Sequence, residues 1–348
     1  MNEYIPFLKT KTNEFSALNK LSTEVKTNIV PFFDLHRKED NYTEKTYKKL
    51  LLQIKQKITK LTEENISYFY LDDFDIPNDL LLENKISYET VINLMVEFNF
   101  IPVIGIDRLP ERNEVVFKNN NLIKTKTVAI RINLEEMKTK LEISDLQELI
   151  TKAKEYYATI IIILDARLIT EKNYNILLEN AKKILKEKNI LDYKLIFTGS
   201  TIPANIKDII ASDSNLDLPR KEISLYTEIT RIFPNTILGD YTIISPYYSD
   251  VKINKQLIQN IMTPKIIYAY NNYFFIQRGK SIKQFGNKQY TYLCQNLISR
   301  KNYRGKNYSF GDTILYECAK DKKKIIPGSA IQYEVNAHIT YMVQNFQI

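Results

Sequence analysis

The chain has 348 residues, 44% hydrophobic and 26% charged, enough for one large domain with a smaller companion or for two domains. Its longest aliphatic run, Ile160 to Leu164, is far short of the ~20 apolar residues of a membrane helix; Met1 to Tyr4 begin no basic-then-apolar leader, and two cysteines are too few for a disulfide framework, so a cytoplasmic location and no membrane partner are expected. The net charge of +8 is uneven: Val251 to Ile348 hold 15 Lys and Arg against 4 Asp and Glu, a balance of +11, which leaves −3 for the first 250 residues.

Taken in chain order, apolar, β-rich runs fall at Tyr4–Leu8, Ile29–Leu35, Ile66–Asp72, Phe100–Ile106, Thr127–Asn133, Thr159–Asp165, Tyr193–Gly199 and Thr236–Tyr241, and their starts are 25 to 43 residues apart. One strand, one helix and two loops need about that length, so the pattern is a βα repeat. Several runs are continuous rather than alternating, as strands buried on both faces are. Between them, Tyr47, Leu50, Leu51, Ile54 and Ile58 share one helical face, as do Ile176, Leu177, Ala181, Ile184 and Leu185. Thr43 with Thr46, and Glu44 with Lys48, mark a helix start. Pro203, behind Ser200 and Thr201, marks another.

Eight units are the number that closes a (β/α)8 TIM-like barrel, here residues 1–246, with a doubly wound open sheet as the alternative. Beyond Pro246 the pattern changes. Lys265–Tyr270 and Tyr273–Gln277 flank Asn271-Asn272 as a hairpin, and turn signals stand at Gly286-Asn287, Gly305-Lys306 and Pro327-Gly328. Residues 247–348 therefore read as a basic, Tyr-rich appendage, β-rich or mixed.

Certain residues carry a family resemblance in their order: Tyr4 to Lys9 with Glu14 and Ala17-Leu18, Gly239-Asp240-Tyr241 before Ser245-Pro246, Tyr268, Arg278-Gly279, Ser309-Phe310-Gly311-Asp312, and Asn336-Ala337-His338. Over nearly the whole length the chain resembles the phage-associated "Beta protein" family. That family's pattern usually closes on Asn-His-His and carries tryptophans, whereas this chain has Ala337 in the motif and no tryptophan. The resemblance implies a setting in phage–host conflict, antiviral defence included, and implies no particular reaction.

In a β/α barrel, chemistry sits at the C-terminal ends of the strands. The strand-end residues are Lys9, Asp34, Asp72 with Asp73, Asp107, Arg131 with Asn133, Asp165 with Arg167, Ser200, and Asp240. Converging carboxylates among cations could hold a divalent metal, Mg or Mn, together with a phosphate, or could work as an acid and base pair. Catalytic candidates are thus Asp165, Asp240, Asp34, Asp107, Arg131 and Lys9, with Asp72, Asp165 and Asp240 as metal ligands. Equally, an Asp at a strand end commonly caps the next helix. Ser200 and Thr201, opening the Gly199-Ser200-Thr201-Ile202-Pro203 turn, could present backbone amides to phosphate or simply cap a helix. Arg167 and Arg278 are further phosphate candidates. No Gly-x-Gly-x-x-Gly or Walker-type loop occurs, which argues against a standard nucleotide cradle. His36 and His338 are the two histidines, so a Ser-His-Asp site or a zinc site has little to draw on.

The tail interleaves cations with aromatics. Lys283, Lys288, Arg300, Lys301, Arg304 and Tyr292 are the nucleic-acid candidates, because phosphates are neutralised by cations and bases stack on rings. The competing reading is a domain whose tyrosines pack inward while its lysines face water, in a chain rich in Lys, Asn and Ile throughout. Three functions are compatible with these features: a metal-assisted phosphoester hydrolase or nuclease at the barrel rim; a sensing module that recognises a phage component or an operon-encoded partner protein; and nucleic-acid binding without catalysis.

Overall fold

A computed structural model describes residues 3–37, 43–66, 68–78, 80–187, 190, 192–248 and 262–346. Thirteen strands are described: β1 (Ile5–Lys9), β2 (Phe32–Asp34), β3 (Phe69–Asp72), β4 (Leu81–Leu82), β5 (Lys85–Ile86), β6 (Phe100–Ile104), β7 (Thr127–Asn133), β8 (Thr159–Leu168), β9 (Lys194–Ser200), β10 (Ser214–Pro219), β11 (Ile237–Asp240), β12 (Lys265–Tyr270) and β13 (Tyr273–Arg278). Eight of them close a parallel barrel in the order β1, β2, β3, β6, β7, β8, β9, β11 and back to β1. The open-sheet alternative is thereby removed. Ser67, inside the third expected run, lies outside the described residues.

Eight helices accompany the barrel: α1 (Thr12–Asn19), α2 (Thr23–Lys26), α3 (Glu44–Glu63), α4 (Ser87–Met95), α5 (Pro110–Lys118), α6 (Lys140–Tyr156), α7 (Tyr174–Leu185) and α8 (Lys221–Ile232). The expected start of α3 forms: Thr43 and Thr46 make a reciprocal capping box, and Lys48 reaches Glu44 at 2.8 Å. On α7, however, Ile176 is 59% exposed, so the apolar face is narrower than the sequence suggested.

Period-two alternation sorts each strand into two sets. Val128, Ile130 and Ile132 of β7 pack outward against the helices, as do Ile160, Ile162 and Leu164 of β8. Ile5, Phe7, Phe32, Tyr70, Ile101, Val103, Ala129, Ile161, Ile163, Ile196 and Tyr241 fill the interior. Phe7 stacks on Phe32 at 4.2 Å between centroids, and Phe32 on Tyr70 at 5.6 Å. Gly239 is required where the barrel closes, since a Cβ there would lie 2.7 Å from both the Ile5 carbonyl oxygen and the Phe7 ring.

The seventh unit departs from the expected pattern. No helix opens at Pro203; the Ser200 hydroxyl instead accepts from the Ile202 amide in a local turn, a single 3-10 turn comes next at Ile206–Asp208, and the chain then extends into β10. β10 alternates half-buried and exposed residues and pairs antiparallel with β13, forming the three-stranded sheet β10-β13-β12. The hairpin β12–β13 forms at the expected residues. Beyond the hairpin the chain is helical: α9 (Ile282–Phe285), α10 (Gln289–Ile298), α11 (Phe310–Ala319) and α12 (Pro327–Gln344). The segment is thus mixed, and its turn signals separate helices: Gly286 ends α9 at φ +69°, and Pro327 opens α12. α12 packs against α1, and its Asn336 side chain donates to the Ala17 carbonyl while accepting from the Gly311 amide. No described helix is long and apolar enough to cross a membrane.

Candidate functional site

On five of the barrel strands the inward-facing set ends in charge. By parity with the interior residues below them, Lys9, Asp34, Asp72, Arg131 and Asp165 point into the barrel mouth. Arg131 is their centre and is 1% exposed. Its Nη1 donates to Asp34 at 2.6 Å and to Asp72 at 2.8 Å; its Nε and Nη2 donate to Asp165 Oδ2 at 2.9 and 2.7 Å; Nη2 also donates to the Tyr241 hydroxyl at 2.7 Å. The guanidinium lies between Phe32 (5.2 Å) and Phe74 (4.7 Å), which exclude water from it.

Such a cluster holds its charges only because each is paired. Burial pushes the Asp34 carboxyl up in spite of Arg131. Burial acts the same way on Asp72, but Arg108 and Arg131 together outweigh it and hold that carboxyl below its ordinary range. Arg108 grips Asp72 bidentately at 2.6 and 2.8 Å. Asp165 accepts four bonds, from Arg131 twice, from the Tyr241 hydroxyl at 2.6 Å and from the Arg167 amide at 2.8 Å. Lys9 pairs with Asp75 at 2.7 Å beneath the Tyr248 ring. Asp73 turns outward to Arg112.

Among the described residues several rim groups keep an atom without a hydrogen-bond partner: Arg108 at Nε, Asp73 at Oδ1, Arg167 at Nη1 and Asp107 at both oxygens. Arg167 sits in the bulge of β8 at φ +49°, a left-handed conformation that costs a non-glycine residue free energy. It is 3% exposed, lies between Phe74 (4.7 Å) and Tyr247 (4.8 Å), and donates from Nη2 to the Pro246 carbonyl at 3.0 Å. Its Nη1 is buried with no hydrogen-bond partner among the described residues. Asp107 likewise has both carboxylate oxygens buried and without a hydrogen bond, the nearest cation being Arg108 Nε at 3.7 Å. A Cβ on Gly105 would meet Asp107 Oδ1 at 2.6 Å. The Asp107 carboxylate therefore occupies the inward side-chain position at the end of β6.

The remaining candidates lie elsewhere. Asp240 shares its side of β11 with outward-packed Leu238, so it faces the helical layer and not the mouth. There it accepts from the Tyr4 hydroxyl at 2.6 Å, the Thr242 amide at 2.7 Å, Arg220 at 2.8 Å and His338 Nε2 at 2.9 Å. Burial lowers the His338 pKa against the pull of Asp240, and its Nδ1 has no hydrogen-bond partner among the described residues. Burial would raise Asp240, yet His338, Arg220 and Tyr4 together hold it below its ordinary range. Thr201 donates to Glu222 at 2.5 Å and accepts from the Lys221 amide, so it serves the start of α8. The Ser200 hydroxyl reaches the Ile244 carbonyl at 3.4 Å. Arg278 donates to Thr263 and to the Ile210 carbonyl, beside the small sheet. His36 pairs with Thr10. Asp72, Asp165 and Asp240 do not converge, and among the described residues no three His, Cys, Asp or Glu side chains are grouped to hold a metal.

Two of the tail cations are engaged within the fold. Arg300 pairs bidentately with Asp217 over the Phe275 ring. Arg304 binds the Ala269 carbonyl among the rings of Tyr268, Tyr308 and Tyr341. Lys283, Lys288, Lys301 and Tyr292 are exposed. Sequence reading missed Arg108, Arg112, Arg220, Phe74 and Tyr241. Only Tyr241 had a usable signal, sharing parity with Gly239 rather than with Asp240.

A family model described as "Beta protein" matches residues 4–344. No curated protein matches the chain. Among solved structures, similarity is found to the spore cortex-lytic enzyme SleL of Bacillus megaterium, at 10% identity and a TM-score of 0.32, over 96% of this chain and 74% of that one. The arginine decarboxylase of Paramecium bursaria Chlorella virus, bound to agmatine, is similar at 11% identity and a TM-score of 0.29 over 70% of this chain, which spans 58% of the decarboxylase.

Proposed function

This chain belongs to the Beta protein family, and we propose that it acts on a phosphorylated ligand at its barrel mouth, in the phage–host conflict that the family resemblance implies. The observation that carries this reading is Arg167, a buried guanidinium held in a strained backbone whose Nη1 has no hydrogen-bond partner among the described residues. Strain persists only where surrounding structure imposes it, and it clusters at ligand clamps. A planar guanidinium with an unpartnered nitrogen is suited to a phosphate oxygen.

Asp107 is the carboxylate placed to do chemistry there, either as a base toward water or as the anchor of Mg or Mn. Magnesium is commonly held by one or two carboxylates plus the substrate's own phosphate oxygens, so a ready-made three-ligand cage is not a requirement. Nucleic acid is one such substrate, with Lys283, Lys288, Lys301 and Tyr292 as the exposed residues that would steer it. The saturation of Asp34, Asp72 and Asp165 by Arg131 favours a second reading, in which the mouth recognises the same ligand without turnover. A protein partner encoded nearby is compatible with that sensing role.

The test is calorimetric titration of phosphate esters and short oligonucleotides with and without Mg or Mn, alongside product assay. Binding lost in Arg167→Met at an unchanged melting temperature supports the site, and turnover separates enzyme from sensor. Equal binding by the variant sinks the proposal.

A further inference from the structure

Resting on that reading of the mouth, the geometry points to a narrower ligand class: we infer that the site takes a phosphate ester that also carries an amine or another cationic N–H group, the phosphate on Arg167 and the amine on Asp107.

Three observations converge on this. The first is the free carboxylate itself. An ionised carboxyl with both oxygens buried and no donor is costly on its own. Here Gly105 leaves the space that the carboxylate fills, so the local chain is shaped to present it. The second is charge balance. Among the described residues, the mouth side chains that are at most 8% exposed comprise five carboxylates, Asp34, Asp72, Asp75, Asp107 and Asp165, against the cations of Lys9, Arg108, Arg131 and Arg167. The fifth carboxylate has no matching cation among the described residues, and Asp107 is the one without a close ion pair. The third is the neighbourhood. Exposed Glu136 has its carboxyl pushed up by partial desolvation and by the Asp107 charge, and it also feels Arg167. A ligand group near Asp107 would thus meet two acids, whereas one near Arg167 would meet a cation.

Asp107 follows β6 and Arg167 lies at the end of β8, with β7 between these strands. At a strand spacing of about 4.8 Å this separates them by roughly 10 Å at the backbone. A phosphate and an amine joined by several bonds span that gap, and inorganic phosphate does not. Tyr247, 36% exposed, has its ring 4.8 Å from the Arg167 guanidinium.

The experiment compares 6-aminohexyl phosphate, hexyl phosphate and inorganic phosphate by titration on the full chain, its Asp107→Asn variant and its Arg167→Met variant. The expected result is at least tenfold tighter binding of the amino ester than of the plain ester by the natural chain. In Asp107→Asn that ratio falls to about one. Asp107→Asn should also melt no lower than the natural chain, because no hydrogen bond is lost. A ratio near one in the natural chain, or a ratio that survives Asp107→Asn, overturns the amine assignment and leaves the phosphate reading standing. If no phosphorylated probe binds, or if binding survives Arg167→Met, the phosphate reading falls and takes this inference with it.

Discussion

Arg131→Met removes the cation at the centre of the mouth while keeping a side chain of similar reach. Five hydrogen bonds vanish. Asp72 keeps Arg108, and Asp165 keeps Tyr241, but Asp34 loses the cation that opposed its burial. Breaking a buried ion pair from one side costs about 3–5 kcal/mol. With an unfolding entropy of about 2.1 cal/mol/K per residue, 348 residues give about 0.7 kcal/mol/K, so the melting temperature should fall by roughly 4–7 °C at pH 7.5. The pH dependence is the sharper test. Without Arg131 the Asp34 carboxyl, already pushed up by burial, loses the charge that opposed the rise, so the variant's deficit is largest when Asp34 is ionised. It should shrink as pH falls from 8 toward 5 and the carboxyl takes up a proton. Scanning calorimetry across that range reads both quantities. A deficit under about 1 °C, or one that does not change with pH, would refute the view that Arg131 holds the mouth together.

Asp240→Asn deprives Arg220 and His338 of their shared carboxylate and should cost about 3–5 kcal/mol at pH 7. Because the folded pKa of Asp240 is depressed, its contribution is present above the unfolded carboxyl pKa and lost in acid, so the two melting curves should converge near pH 3. Glu334 is fully buried with its pKa raised by burial to about 7, so ionising it costs stability as pH climbs from 4.5 to 7. Glu334→Gln should therefore gain roughly 2–3 kcal/mol at pH 8 and nothing below pH 4.5; a loss at both would show that the fit of its bond to the Ile267 amide, rather than its charge, is what matters. A Cβ on Gly311 would lie 2.0 Å from the Tyr333 carbonyl oxygen, so Gly311→Ala should cost about 3 kcal/mol in denaturant titration by forcing α11 off α12.

The barrel was legible because its cue is repetition: eight apolar runs at steady spacing read the same whichever side chains vary. The inward charges were legible as the polar residues that interrupt or end the apolar runs, as Arg131 does in Ala129 to Ile132 and Asp165 does after Ile160 to Leu164. Asp240 illustrates what was not. Its strand is four residues long with a glycine in the middle, and a shift of one position exchanges mouth for helical layer. The pairing of each acid was hidden too, since Arg108 and Asp72 meet across 36 residues and Arg220 lies in a loop. β10 escaped notice because its partner strand arrives from far along the chain, and a Pro after Ser-Thr reads locally as a helix start. The family motifs mostly mark joints: Tyr4, Asp240 and His338 meet at one carboxylate, and Tyr268 and Ser309 both donate to Asp312.

That joint has a consequence for how the molecule is assembled. Tyr4 and His338 stand near opposite ends of the chain, yet each completes the other's bonding through Asp240, while β10 lends its edge to a hairpin formed later. Residues 1–246 made alone would carry a buried acid and an open strand edge with no covering. Two separately expressed halves, cut beyond Pro246, should thus be poor solo folders that rescue one another on mixing. Fragment complementation, familiar from split reporters, is a practical handle this architecture offers.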